Sequence, residues 1–169
     1  MNHSKYGIAA VMLLLCTFTL SNVASAQKDS SQDEAAIHDY VLTMAKVQTY
    51  AAALRDYEAG GQKNEAIANE CKGKIDDDNL SLIAKEKIIE SSCPQMNAWI
   101  KQHGMATHDF LFIPMGLITA GFAQAAVEQG GKPPAFVNPV NLQFVKEHKA
   151  ELEKMNLGTG KDKESSSDQ

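Results

Sequence analysis

The chain lacks the short motifs that identify most enzymes and cofactor proteins. It has no G-x-S-x-G, Walker A or dinucleotide-type glycine pattern, so no serine-hydrolase or nucleotide site is indicated. It has no C-x-x-C-H, which is the attachment motif for covalently bound haem. These absences favour a protein without enzymatic activity and without a bound cofactor.

Positive charge is also scarce. The chain has 16 basic and 21 acidic residues, for a formal net charge of −5, and no stripe of lysine and arginine. A basic patch is the electrostatic footprint of nucleic-acid binding, so nucleic acid is not an expected partner. Anionic membrane surfaces are disfavoured for the same reason.

Strand patterns and internal repeats are missing as well, whereas helical periodicity is frequent. Ser31 and Glu34 form a capping box, which predicts the start of a long helix that ends at Gly60-Gly61. Within it, apolar residues recur at steps of three and four, at Ile37, Val41, Met44, Val47, Ala51 and Leu54. The sequence therefore predicts an all-α, single-domain bundle of four to five helices.

The longest uncharged run of the predicted domain is Phe110–Val127, eighteen residues that are mostly apolar on every side. Thr107 is a suitable N-cap, and Gly130 follows the run as a stop signal. A helix that is apolar all round is buried in protein or in lipid, and this run is short for a membrane span of about 20 residues. We expect it to be the central buried helix, with the Phe122 ring in the core.

The first 26 residues resemble a secretory leader. An apolar core at Ile8–Leu20 follows a positive start, and an A-x-A cleavage site ends at Ala26. This pattern predicts a signal peptide over residues 1–26, export to the periplasm or outside the cell, and no stable membrane span after cleavage. Residues 27–157 would form the helical domain, and the polar residues 158–169 would form a disordered tail.

Three cysteines occur in the sequence, and Cys16 lies in the predicted leader. Cys71 and Cys93 remain after cleavage. An even number of cysteines in an exported protein indicates a disulfide, because the compartment is oxidising. A metal or catalytic thiol is the alternative, but no C-x-x-C pattern supports it. The sequence predicts a Cys71–Cys93 bridge that pins the middle of the bundle.

Histidines suggest an alternative function. His103 and His108 flank the junction before the central helix, and Asp109 follows directly. With one more histidine these side chains would make a metal centre, either in a metal-binding protein or in a small enzyme of the cell envelope. The spacing argues against it, because helical metal sites usually pair two histidines at i, i+4, or glutamate with histidine at i, i+3.

The leading hypothesis is an exported, non-enzymatic binding or interaction module. Its partner would be an unidentified protein or an apolar small molecule. Pro114 should bend the central helix, and Gly116 should leave space beside it. These features indicate an apolar groove near Trp99, Pro114, Gly116 and Phe122, and the plainer alternative is tight helix packing around the bend.

Overall fold

The computed structural model of the chain describes residues 31–157. The predicted leader and the predicted tail lie outside the described residues. Within residues 31–157 the chain forms eight helices and no strand, so the all-α prediction is confirmed. The helices are α1 (residues 31–39), α2 (Met44–Gly60), α3 (Gln62–Cys71), α4 (Leu82–Ser92), α5 (Pro94–Gln102), α6 (Thr107–Glu128), α7 (Pro139–Glu147) and α8 (Lys149–Lys154).

The helices outnumber the four to five predicted, partly because the expected first long helix is interrupted. Residues 40–43 form a linker between α1 and α2. Tyr40 and Leu42 are buried, whereas Val41 and Thr43 are exposed. This alternation is that of an extended segment, in which successive side chains point to opposite sides. Thr43 then caps α2, since its hydroxyl accepts a hydrogen bond from the backbone N–H of Lys46.

The central position of α6 is confirmed. It packs against α2, α4, α5 and α7, and its inner side is buried. Pro114 lies inside α6, and the helix continues through it. Thr107 is not the N-cap that the sequence predicted. Ala106 occupies that position, and the buried Thr107 hydroxyl instead donates to the Asn97 side-chain oxygen at 3.3 Å.

The outer side of α6 faces solvent, so one sequence prediction is wrong. Phe122 is 70% exposed rather than part of the core, and Ile118 and Val127 are also exposed. By length and composition α6 would suffice to cross a membrane, a test that the central helix of a soluble bundle also passes. In its most apolar window 39% of the residues are buried within the protein.

The Cys71–Cys93 disulfide is present and joins the end of α3 to the residue before α5, with a Cα–Cα distance of 5.6 Å. Both cysteines are buried. The neighbouring Glu70 carboxylate accepts hydrogen bonds from the backbone N–H groups of Gln95 and Met96, at 2.9 and 3.1 Å. The bridge and this cap hold the same two helices together. Closing a loop of this length contributes about 3 kcal/mol in the chain-entropy model.

Two phenylalanines of α6 allow a matched test of which side is the core. Phe112 is fully buried, whereas Phe122 is mostly exposed. Phe112→Ala should lower the free energy of unfolding by about 3–5 kcal/mol, because it leaves a cavity. Phe122→Ala should change it by less than about 0.5 kcal/mol. Urea denaturation of both variants measures this, and comparable losses would mean that the outer side of α6 is covered.

Candidate functional site

The linker between α1 and α2 is held by the side chain of Asn141 in α7. Its amide oxygen accepts a hydrogen bond from the backbone N–H of Leu42 at 2.8 Å. Its amide nitrogen donates to the carbonyl oxygen of Tyr40, also at 2.8 Å. Asn141 is only 2% exposed. Because a carboxamide offers one acceptor and two donors, it satisfies the extended backbone as a neighbouring strand would.

A second asparagine supports the same linker from the start of α7. The side-chain nitrogen of Asn138 donates to the carbonyl oxygens of His38 and Tyr40, at 2.6 and 3.3 Å. Its side-chain oxygen accepts from the backbone N–H of Val140 at 2.8 Å, which caps α7. The residue that begins α7 therefore also fixes where the linker crosses it.

These bonds place Leu42 directly over Gly116 of α6. A Cβ atom built at Gly116 would lie 3.3 Å from side-chain carbons of Leu42, so the linker is in close contact with α6. The groove expected beside Gly116 is not open at this residue, because Leu42 packs against it. A larger residue at this position would require Leu42 to shift by a few tenths of an ångström.

The four predicted groove residues do not share one surface. Trp99 is buried and packs edge-on against Tyr57 and Phe110, with ring centroids 5.8 and 6.2 Å apart. Pro114 is half-buried, and Gly116 is covered by Leu42. Phe122, six residues further along α6, faces solvent. At about 100° per residue, this places it on a different side of the helix from Gly116.

An open depression lies instead on the other side of Leu42, along α7. Its volume is about 430 Å³, and its lining is mostly apolar. The lining residues are Leu42, Pro139, Val140, Gln143, Phe144 and Glu147. Val140 is 55% exposed, and Val41, next to Leu42 in the chain, is 43% exposed. This depression is the candidate binding site.

Sequence reasoning missed the depression, although α7 carried a signal for it. The apolar pattern of the last helix assigns Leu142 and Val145 to the core side. Val140 falls outside that pattern, and Phe144 lies at its margin. An apolar pair at i, i+4 beside the main apolar stripe marks a second apolar surface on the same helix.

The linker is also fixed at Tyr40. Its hydroxyl donates to the Asp109 carboxylate at 2.7 Å, and Lys46 makes an ion pair with the same carboxylate at 3.0 Å while lying over the Tyr40 ring. Burial opposes ionisation of Asp109, but the bonds from Tyr40 and Lys46 outweigh it and lower the pKa of the carboxyl. Burial, together with the bond to Asp109, raises the pKa of the Tyr40 hydroxyl. Asp109 thus anchors the linker.

The histidines of the metal hypothesis do not converge. His103 pairs with Asp56 of α2 at 2.8 Å. His108 pairs with Glu86 of α4 at 2.9 Å and stacks on the Phe112 ring. Asp109 is engaged by Tyr40 and Lys46, as described above. Among residues 31–157, no group of three or more histidine, cysteine, aspartate or glutamate side chains is placed to hold a metal ion.

His103 is instead built to carry a positive charge. Its Nδ1 lies 2.8 Å from the Trp99 carbonyl oxygen, and its Nε2 lies 2.8 Å from the Asp56 carboxylate. Both partners only accept hydrogen bonds, so both ring nitrogens must carry a proton. The bond to the Trp99 carbonyl raises the pKa of His103 against the effect of burial, and Asp56 raises it further. His103 therefore links α5 to α2, and this link favours the protonated ring.

Removing the Asn141 amide should loosen the linker. Asn141→Ala leaves the buried N–H of Leu42 without a partner, and an unsatisfied buried donor costs about 1–3 kcal/mol. Asn69→Ala is the matched control, because Asn69 is exposed on α3. Urea denaturation should show a loss of this size for Asn141→Ala and less than about 0.5 kcal/mol for the control. Equal values would show that the linker does not depend on the amide.

The charge on His103 predicts a pH dependence of stability. The pKa of His103 is raised in the folded state, so its protonation stabilises the fold. This stabilisation is complete at pH values below the unfolded-state pKa of about 6.5, and it is lost as the pH rises through the folded-state pKa. The free energy of unfolding should therefore fall as the pH rises above about 6.5, and the fall should be smaller in His103→Gln. His38→Gln, at an exposed pair with Asp39, is the control. An unchanged pH profile in His103→Gln would contradict the assignment.

Comparison with known proteins adds no analogy: no protein-family model, no curated protein and no solved structure matches this chain. Function must therefore be inferred from its own residues.

Proposed function

We propose that this protein is an exported, non-enzymatic helical module that binds an apolar group of a partner molecule in the depression along α7. The observation that carries the proposal is the depression itself, an apolar surface left open beside a fully packed core. Val140 is more than half exposed there. Complete burial of a valine side chain contributes about 1.5–3 kcal/mol, so covering this surface would favour association.

The walls of the depression are held in place, which favours binding over collapse. Leu42 is fixed by the backbone bonds to Asn141. On the other side, the Phe144 ring packs against His148, with centroids 4.7 Å apart, and His148 is paired with Glu151 at 2.8 Å. A preorganised surface loses little side-chain freedom when a partner covers it.

The lining chemistry favours binding over catalysis. Of the six lining residues, Glu147 alone carries a titratable group. Covalent catalysis needs a nucleophile with a base beside it, and acid–base catalysis needs a positioned proton donor or acceptor against a bound substrate. The remaining lining groups are apolar side chains and one carboxamide. Recognition of an apolar group is the chemistry that such a surface supports best.

Export is proposed from two features. The first is the leader pattern that ends at Ala26. The second is the disulfide between Cys71 and Cys93, since disulfides persist mainly in oxidising compartments.

The neutral dye Nile red, which fluoresces in apolar surroundings, provides a test. The protein is recovered after export from cells that express the full-length chain. Cleavage after Ala26 should make Gln27 its first residue. Wild type should bind the dye. Val140→Asp should weaken binding at least about fivefold, because it places an unpaired charge in the depression. Phe122→Asp is the matched control on the outer side of α6 and should leave binding unchanged.

The opposite pattern would contradict the proposal. Binding that survives Val140→Asp and is lost in Phe122→Asp would place the site on the outer side of α6. Absence of dye binding in folded wild type would remove the depression as a site. Thermal unfolding of each variant confirms that the comparison is made between folded proteins.

A further inference from the structure

We propose that the depression recognises a basic apolar segment of a partner protein, with an apolar side chain against Val140 and Phe144 and a lysine or arginine against Glu147. This inference rests on the proposed function and specifies the partner's chemistry. Three features of the site support it: an uncompensated carboxylate, an open shape and the negative charge of the chain.

Glu147 is the charged residue of the lining, and its carboxylate has no cationic partner within 4 Å among the described residues. Its Oε1 atom accepts a hydrogen bond from the Gln143 side chain at 2.6 Å. Nearby carboxylates differ, since Glu128 is paired with Lys149 and Glu151 with His148. A carboxylate at the edge of an apolar surface favours a ligand that brings the opposite charge.

The gain from such a pair depends on partial desolvation. When an apolar group covers the depression, water is excluded from the neighbourhood of Glu147. A carboxylate that loses water without gaining a partner opposes binding, whereas one that gains a cation and its hydrogen bonds supports it. A neutral apolar ligand therefore binds less well than a cationic one, and an acidic ligand binds worst.

The shape of the depression favours a polypeptide segment over a small molecule. Small-molecule sites usually bury about 70–90% or more of the surface of their ligand. This depression is open along one side, and Val140 is 55% exposed within it. An open surface of this kind suits one anchoring side chain of a larger partner, whose adjoining residues lie across the rim.

The charge of the whole chain acts in the same direction. Its formal net charge is −5. A negatively charged protein attracts a basic segment at long range and repels an acidic one, and salt screens both effects. Binding of the segment should therefore weaken with rising ionic strength.

Three blocked hexapeptides test the inference. Each contains leucine and phenylalanine in the middle, followed by two lysines in the first, two glutamines in the second and two glutamates in the third. Isothermal titration calorimetry with the protein recovered after export measures the affinity of each peptide. The lysine peptide should bind about two- to fivefold more tightly than the glutamine peptide, which is the range for a single exposed ion pair. The glutamate peptide should bind most weakly.

Glu147→Gln is the decisive variant, since glutamine keeps the size and the hydrogen-bonding capacity of the side chain. It should bring the lysine and glutamine peptides to equal affinity and reduce the salt dependence of the lysine peptide. Equal affinities in wild type, or a lysine preference that survives Glu147→Gln, would overturn the inference.

The peptide and dye experiments separate the two proposals. If wild type binds Nile red through Val140 but none of the peptides, the depression binds apolar groups and the proposed partner class is wrong. If neither the dye nor any peptide binds, the function itself is wrong. If the lysine peptide binds equally well to Val140→Asn, which removes the apolar group without adding a charge, it is held elsewhere, and the inference fails while the dye result stands.

Discussion

The structure depends on how the extended linker of residues 40–43, with Tyr40 and Leu42 buried, is held without a neighbouring strand. Leu42 lies outside the helices, so its backbone N–H has no helical acceptor. A buried backbone donor of this kind must find another partner. Asn141 provides it and also satisfies the carbonyl oxygen of Tyr40. Leu42 can then pack on Gly116, and Tyr40 can reach Asp109. One carboxamide thus allows the linker to close one side of α6 and to form a wall of the binding depression.

The central helix shows what uniform apolar composition predicts and what it does not. Its existence, its approximate ends and its central place in the bundle could be predicted from an uncharged run between capping and stop signals. Which sides are covered could not, because hydropathy is nearly the same all round. Coverage is decided by the neighbours, with α7 and the linker on the side of Gly116 and solvent at Phe122. The Phe122 prediction failed for this reason.

The candidate site was hidden from the sequence by a periodicity that continues through the linker. Ile37, Val41 and Met44 are spaced as on one helix face. The helix is nevertheless interrupted, because side chains about 100 residues later in the chain bind the extended form. Nothing in the sequence near Asn141 marks it as a partner of a distant backbone. Long-range hydrogen bonds of this kind leave no local signal, whereas the disulfide could be predicted because two cysteines follow the predicted leader.

The distribution of charge explains why the histidines and the depression play different roles. Each of the four described histidines has a carboxylate within 3.3 Å, and the four pairs lie at separate places rather than around a common centre. Glu147 is engaged by the neutral Gln143 and lies on an apolar surface, so its charge is still available. The depression therefore has an anionic edge that none of the histidine pairs neutralises.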